Sequence, residues 1–158
     1  MSPATISKPK STERASLDAE LAPLLADYQV FYQKLRGYHW TVTGPLFFGL
    51  HAKFEALYLD AAEKVDALAE RLAARGARPP VTLKEVLALA RLSEDSGRPA
   101  PLEMVKHIEA DLVTLNQALR AGARIAAEAG DVATVNLLDG YADAQEKELW
   151  MLRAFAMQ

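Results

Sequence analysis

The apolar residues of this chain recur at three- and four-residue steps, and no segment shows the two-residue alternation of a strand. Leu21, Leu24, Leu25, Tyr28, Phe31, Tyr32, Leu35 and Tyr38 form the clearest run. Such steps gather side chains on one face of an α-helix, so the run predicts an amphipathic helix. It starts near Ser16 or, at the latest, at Pro23, which a first turn tolerates. It reaches about Val42, where Thr43-Gly44-Pro45 stops it. A second long helix, about Phe47 to Arg75, ends at Gly76. Arg78-Pro79-Pro80 breaks the chain, and Thr82 and Glu85 then have the spacing of a capping box that opens a short helix through about Leu89 or Ala90. A polar stretch from Ser93 to Pro101 leads into a third long helix, about Leu102 to Ala129, closed by Gly130. Asp131 is a good N-cap for a fourth, running to about Ala156.

Four long helices with a short one between the second and third predict an all-α four-helix bundle. The middle connection is long enough to let the second and third long helices run parallel, an arrangement that resembles the ferritin-like fold. At 158 residues the chain is one domain with room for a real core. Residues 1–15 (MSPATISKPKSTERA) are polar and form a flexible tail by composition, leaving 16–158 as the bundle domain. The absence of cysteine excludes disulfides, thiolate zinc sites and iron–sulfur clusters. No stretch approaches the roughly 18 apolar residues of a membrane span. The N-terminal lysines are not followed by the apolar run of a secretory signal. A net charge of −3 argues against a globally basic, nucleic-acid-coating surface. A soluble, cytoplasmic protein is expected.

The chemistry lies in five residues with metal-ligand character: His39, His51, Glu55, Asp66 and Glu70. Imidazole mixed with carboxylate suits iron, manganese or zinc. His51 and Glu55 are one helical turn apart, as are Asp66 and Glu70, and each pair shares a face. The two pairs are separated by about 22 Å along a straight helix, too far for one metal centre. Either they serve two sites, or two antiparallel copies of the chain each lend half a site to the other; the second reading is preferred. His39, His51 and Glu55 flank a short turn and resemble a 2-His-1-carboxylate iron site. The chain contains no Glu-x-x-His, the motif of di-iron sites inside ferritin-like bundles, so a metal site is expected outside the bundle interior.

The run YHWTVTGPLFFGLHAKFEALYLDAAEKVDALAERLAARG resembles the signature of the Dps family, the DNA-protecting mini-ferritins of bacteria. The segment Val81-Thr82-Leu83-Lys84-Glu85 and the closing run Leu149-Trp150-Met151-Leu152-Arg153-Ala154-Phe155 match it too, and the resemblance covers about Leu24 to Met157. It implies a shell of twelve identical subunits, with ferroxidase sites at two-fold interfaces that hold up to two iron ions each. His39, His51 and Glu55 would come from one subunit, and Asp66 and Glu70 from its neighbour. Members usually carry Asp where this chain has Glu55. The resemblance further implies oxidation of Fe(II), with hydrogen peroxide favoured over dioxygen, and storage of ferric mineral in the shell.

Trp40 is then a candidate for a redox role beside the site, and Trp150 should lie near it. Acids near the start of the last helix line the pores through which iron enters in the family; here that region carries Glu128 and Asp131. DNA would be held by Lys8, Lys10 and Arg14 in the tail, multiplied over twelve copies. The competing reading is a non-specific DNA-binding architectural protein with a weak or vestigial ferroxidase site.

Overall fold

The computed structural model describes residues 11–157, which form five helices and no strand. These are α1 (Ser11–Thr41), α2 (Phe47–Ala74), α3 (Leu83–Leu89), α4 (Pro101–Glu128) and α5 (Val132–Ala156). No helix among the described residues is long and apolar enough to cross a membrane. The long helices follow the predicted boundaries within about a residue, except at the start of α1.

That helix begins by Ser11, five residues before the predicted Ser16, and runs straight through Pro23. Two backbone contacts explain the earlier start. The Arg14 guanidinium donates to the Arg75 carbonyl at 2.8 Å, and Arg75 donates back to the Arg14 carbonyl at 3.2 Å. The first turn of α1 is thereby tied to the end of α2. Pro23 removes one backbone donor from the helix interior. Leu17, Leu21 and Leu24, all fully buried around it, hold the helix in place. The rest of the tail, Lys8 and Lys10 included, lies outside the described residues.

Side-chain pairings fix the topology. His39 meets His51 at one end of the α1–α2 pair and Arg14 meets Arg75 at the other, so these helices are antiparallel. Lys34 reaches Asp111, and a Cβ added to Gly122 would touch Glu20, so α1 and α4 are antiparallel as well. It follows that α2 and α4 run parallel. The crossover between them carries α3 across α1. Lys53–Glu148 and Arg71–Asp131 close the ring between α2 and α5.

Local chemistry ends each element where it should. Gly76 and Gly130 adopt positive φ (83° and 69°), a conformation that costs glycine little. Beyond them, Ala77 N–H returns to the Leu72 carbonyl and Asp131 N–H to the Ala126 carbonyl, satisfying the last helical acceptors. At α3, the Thr82 hydroxyl accepts from Glu85 N–H while the Glu85 carboxylate accepts from Thr82 N–H, a complete capping box. Asp131 caps α5 by accepting from Thr134 N–H.

The core is aliphatic, with Leu35, Phe54, Leu68, Ile108, Leu115 and Leu119 among its fully buried members. A polar string also crosses the bundle interior. Tyr28 donates to Gln145, and Gln145 donates to Asn116 at 2.7 Å. Lys64, almost fully buried, lies over the faces of Tyr28 and Tyr141 and pairs with Asp60 at the rim. The interior thus offers an ammonium, a phenol and two amides where a ferritin-like di-iron centre would need glutamates and histidines.

Candidate metal centre

The turn Val42–Leu46 folds the end of α1 against the start of α2, bringing His39 and His51 face to face. Their rings stack with centroids 3.7 Å apart and planes 17° from parallel. Each Nδ1 lies 2.8 Å from the backbone carbonyl of the other histidine. A carbonyl can only accept, so both Nδ1 atoms carry the proton and donate. Both Nε2 atoms are then left with a lone pair, the tautomer that a metal-ligating imidazole needs. Helix–helix contact and tautomer are set by the same reciprocal pair of bonds.

Glu55 stands one turn beyond His51 on α2. One ligand atom from each of His39, His51 and Glu55 can be chosen so that all lie within 4.8 Å of one another. His39 is nearly buried, His51 half-buried and Glu55 exposed, so the cluster opens outward and leaves room for further ligands. Aromatic rings wall it. Phe47 stacks on His51 with centroids 4.9 Å apart, and Tyr58 meets His39 edge-on at 5.3 Å. The Tyr58 hydroxyl also points at Glu55, 3.4 Å away, and its pKa is raised by loss of solvent and by the Glu55 charge. Sequence reasoning missed Tyr58, although it sits three residues after Glu55 and seven after His51 and so shares their face.

Asp66 and Glu70 are not part of this cluster. Both are exposed on α2, on the stripe that begins with His51 and Glu55. They stand about 22 Å further along the helix, counting from His51 to Asp66. Among the described residues, His39, His51 and Glu55 are the one group of three His, Cys, Asp or Glu side chains arranged to hold a metal. The stripe between the two pairs carries an exposed leucine, Leu59.

The other sequence-predicted residues are scattered. Trp40 is 59% exposed, with the Arg36 guanidinium 4.7 Å above its ring and the same guanidinium near Tyr32. Trp150 is exposed near the end of α5. Glu128 is exposed at the end of α4. Asp131 is engaged differently: its carboxylate takes Arg71 and Arg75, each at 2.5 Å, besides capping α5. Desolvation pushes the Asp131 carboxyl up, but the Arg71 guanidinium and the Thr134 donors outweigh it and hold Asp131 well below the usual carboxylate range. Arg14 is exposed, with its guanidinium on the Arg75 carbonyl.

A parallel-crossover helical bundle of this kind, with its metal-ligand cluster displaced to the surface, defines a ferritin-like protein. The family model described as "Ferritin-like domain" matches residues 19–158. Among relatives, the DNA protection during starvation protein of Brevibacillus brevis is 42% identical over 131 residues, spanning 83% of this chain and 88% of the relative. The Dps protein of Bacillus brevis superposes with a TM-score of 0.91 at 38% identity, covering 94% of this chain and 99% of that one. The Dps protein of Vibrio cholerae O1, described as belonging to the ferritin-like diiron-carboxylate proteins, gives 0.90 at 38% identity, covering 92% of each chain. The chain belongs to the Dps family.

Proposed function

We propose that this protein is a ferroxidase and iron store whose catalytic sites are each built from two subunits. The observation that carries the proposal is the division of its ligands. His39, His51 and Glu55 converge on an open half-site, while Asp66 and Glu70 stand exposed on the same stripe, too far away to complete it. A two-fold axis that lays one α2 antiparallel on another would bring the acids of each chain to the histidines of its partner. The exposed Leu59 between the two pairs is the kind of surface such a contact would cover.

Iron is substrate and cargo in this reading, with two ions per site. The Nε2 lone pairs of His39 and His51 suit Fe(II), and the carboxylates of Glu55, Asp66 and Glu70 suit the harder Fe(III). Two Fe(II) ions supply the two electrons that reduce one hydrogen peroxide to water, so peroxide and Fe(II) are consumed together. Dioxygen is the slower oxidant. Glu55 is one methylene longer than the Asp usual in the family, and Tyr58 fixes where its carboxylate sits. Trp40, beside the Arg36 cation, is the aromatic group placed to take up a stray oxidising equivalent. The ferric product is stored in a shell of twelve subunits in the cytoplasm. Iron reaches the interior past the exposed Glu128, while Asp131, held by two arginines, secures the α4–α5 corner of the same pore.

The double substitution Asp66→Asn with Glu70→Gln tests the site. The shell should assemble with its normal mass, and fast peroxide-driven oxidation of Fe(II) should disappear. Oxidation at the original rate would refute the assignment.

A DNA-binding role has separate support. Several relatives carry the name DNA protection during starvation protein. Lys8, Lys10 and Arg14, repeated over twelve subunits, would contact phosphate without regard to sequence and with steep salt dependence. Deleting residues 1–10, which leaves α1 and its Arg14–Arg75 tie intact, should sharply weaken DNA retention and leave iron oxidation unchanged.

A further inference from the structure

Arg36 is a cation without an anion beside the half-site. It stands on α1 one helical turn from both Tyr32 and Trp40, half-buried. Its guanidinium carbon lies 5.2 Å from the centre of the Tyr32 ring and 4.7 Å from that of Trp40. Those ring faces hold the group in place without neutralising it. Arg71, Arg75 and Arg91 each grip carboxylates of their own chain, whereas no carboxylate of the described residues pairs with Arg36. Asp66 and Glu70 show the reverse: both are exposed acids, and neither is paired with a cation of the described residues.

The register of α1 on α2 fixes where this cation sits. His39 stacks on His51, and Tyr32 meets Tyr58 edge-on with centroids 6.0 Å apart. Arg36 lies between Tyr32 and His39 on α1, and Glu55 lies between His51 and Tyr58 on α2, so the two are level. In its own chain Asp66 is a further 16 Å or so along the helix, estimated as about 1.5 Å per residue from Glu55. At that separation two charges near the surface are largely screened by physiological salt.

On the two-chain reading of the iron site, on which this inference rests, we propose that Arg36 is the resident counter-ion of the acid arm. Without iron it pairs with the partner subunit's Asp66, and Fe(II) takes its place. The antiparallel contact that carries Asp66 of one chain to Glu55 of the other carries it to Arg36 as well, because Arg36 and Glu55 share a level. An empty site of this kind gathers three carboxylates: Glu55, the partner subunit's Asp66 and the partner subunit's Glu70. The histidines beside them are bonded through Nδ1 and present Nε2 lone pairs, so they supply no compensating charge. Carboxylates brought this close repel one another. Lys53, one turn-half away on α2, is already taken by Glu148. Arg36 is the cation that remains to offset them.

The pairing holds Asp66 within reach of the histidines while the site is empty, which makes Arg36 a positioning residue. An incoming Fe(II) brings two charges and satisfies both Asp66 and Glu70, so the guanidinium can leave without stranding an acid. Tyr32 and Trp40 retain the displaced cation on their faces.

A double-substitution cycle on the full-length, metal-free particle in EDTA tests this, with urea-driven dissociation followed by particle mass. Arg36→Gln and Asp66→Asn should each weaken subunit association by about tenfold, and the two together should weaken it no further than one alone. Arg36→Lys, which keeps the charge and loses the planar stack, should retain most of the coupling to Asp66. If Arg36 serves only to pack on Tyr32 and Trp40, Arg36→Gln will cost as much in the Asp66→Asn background as in wild type, and that additivity would overturn the pairing. Anaerobic calorimetry with Co2+ in place of Fe(II) reads the displacement: intact Arg36→Gln particles should bind the metal several-fold more tightly than wild type, and equal or weaker binding would refute it. Activity regained on mixing chains that lack opposite halves of the iron site, together with additivity in the cycle, would reject the Arg36 pairing alone. No regain on mixing would reject the two-chain reading and the pairing with it.

Discussion

Asp131 is the residue at which structure and proposed pore chemistry can be separated most cleanly. Its carboxylate caps α5 through Thr134 N–H at 3.1 Å and binds Arg71 and Arg75 at 2.5 Å each. Removing an N-cap costs about 1 kcal/mol. Each charge-assisted bond lost from a partly buried site costs up to about 3 kcal/mol, but neither arginine is left alone. Arg75 keeps Asp18 and Arg71 keeps the Thr134 hydroxyl, so about 1 kcal/mol for each is the appropriate end of the range. Asp131→Ala should therefore destabilise by about 3 kcal/mol, lowering Tm by roughly 6–12 °C for a chain of this length. Asp131→Asn keeps the cap and neutral hydrogen bonds and should lose only about 1 kcal/mol. Both are measured by thermal and urea denaturation at matched subunit concentration, because assembly contributes to the apparent stability. The pH dependence has a definite sign. A carboxylate held below its unfolded pKa adds stability above about pH 4 and loses it as the pH falls further, so wild type and Asp131→Asn should converge in acid. Equal stability of Asp131→Ala and wild type at neutral pH would refute the anchoring role.

Three further outcomes follow from named contacts. Asp111→Ala strands the buried Lys34 ammonium and should cost about 3–5 kcal/mol in denaturant titrations, while Lys34→Met with Asp111→Leu should recover most of it. Tyr58→Phe removes the 3.4 Å contact to Glu55; Fe(II) affinity should fall about tenfold, by anaerobic titration, with helix content unchanged. Glu85, bonded to Arg78 and to the Val81 and Thr82 amides, has its pKa lowered from 4.5 to about 2. The α3 cap should consequently begin to fray below about pH 4.5 and be lost as the pH passes about 2, a change that amide shifts of Val81 and Thr82 would follow.

Much of this was legible in the sequence because helices announce themselves through period, caps and stops. Thr82/Glu85, Gly76, Gly130 and Asp131 each act in the structure as their residue types predict. The start of α1 was not legible, since the contact that extends it joins residues 61 positions apart in the chain. The half-site at His39, His51 and Glu55 was readable from a short turn flanked by ligands at helical spacing. Its tautomers were not, because they depend on two backbone carbonyls that only the folded turn brings into range. Asp131 shows a similar limit. An acid at a helix start looks like an N-cap or a pore charge, and only the packing of α2 against α5 reveals the two arginines that hold it.

The central claim is that each iron site needs two chains, and complementation measures it most directly. One variant carries His39→Gln and His51→Gln, the other Asp66→Asn and Glu70→Gln. Each alone should assemble without fast Fe(II) oxidation by peroxide. Co-assembled at equal amounts, they should regain about a quarter of the wild-type sites, since half of randomly formed two-fold pairs are mixed and each mixed pair restores one of its two sites. Mixed particles as inactive as their parents would contradict the account, because sites contained within a single chain cannot be rescued by a neighbour.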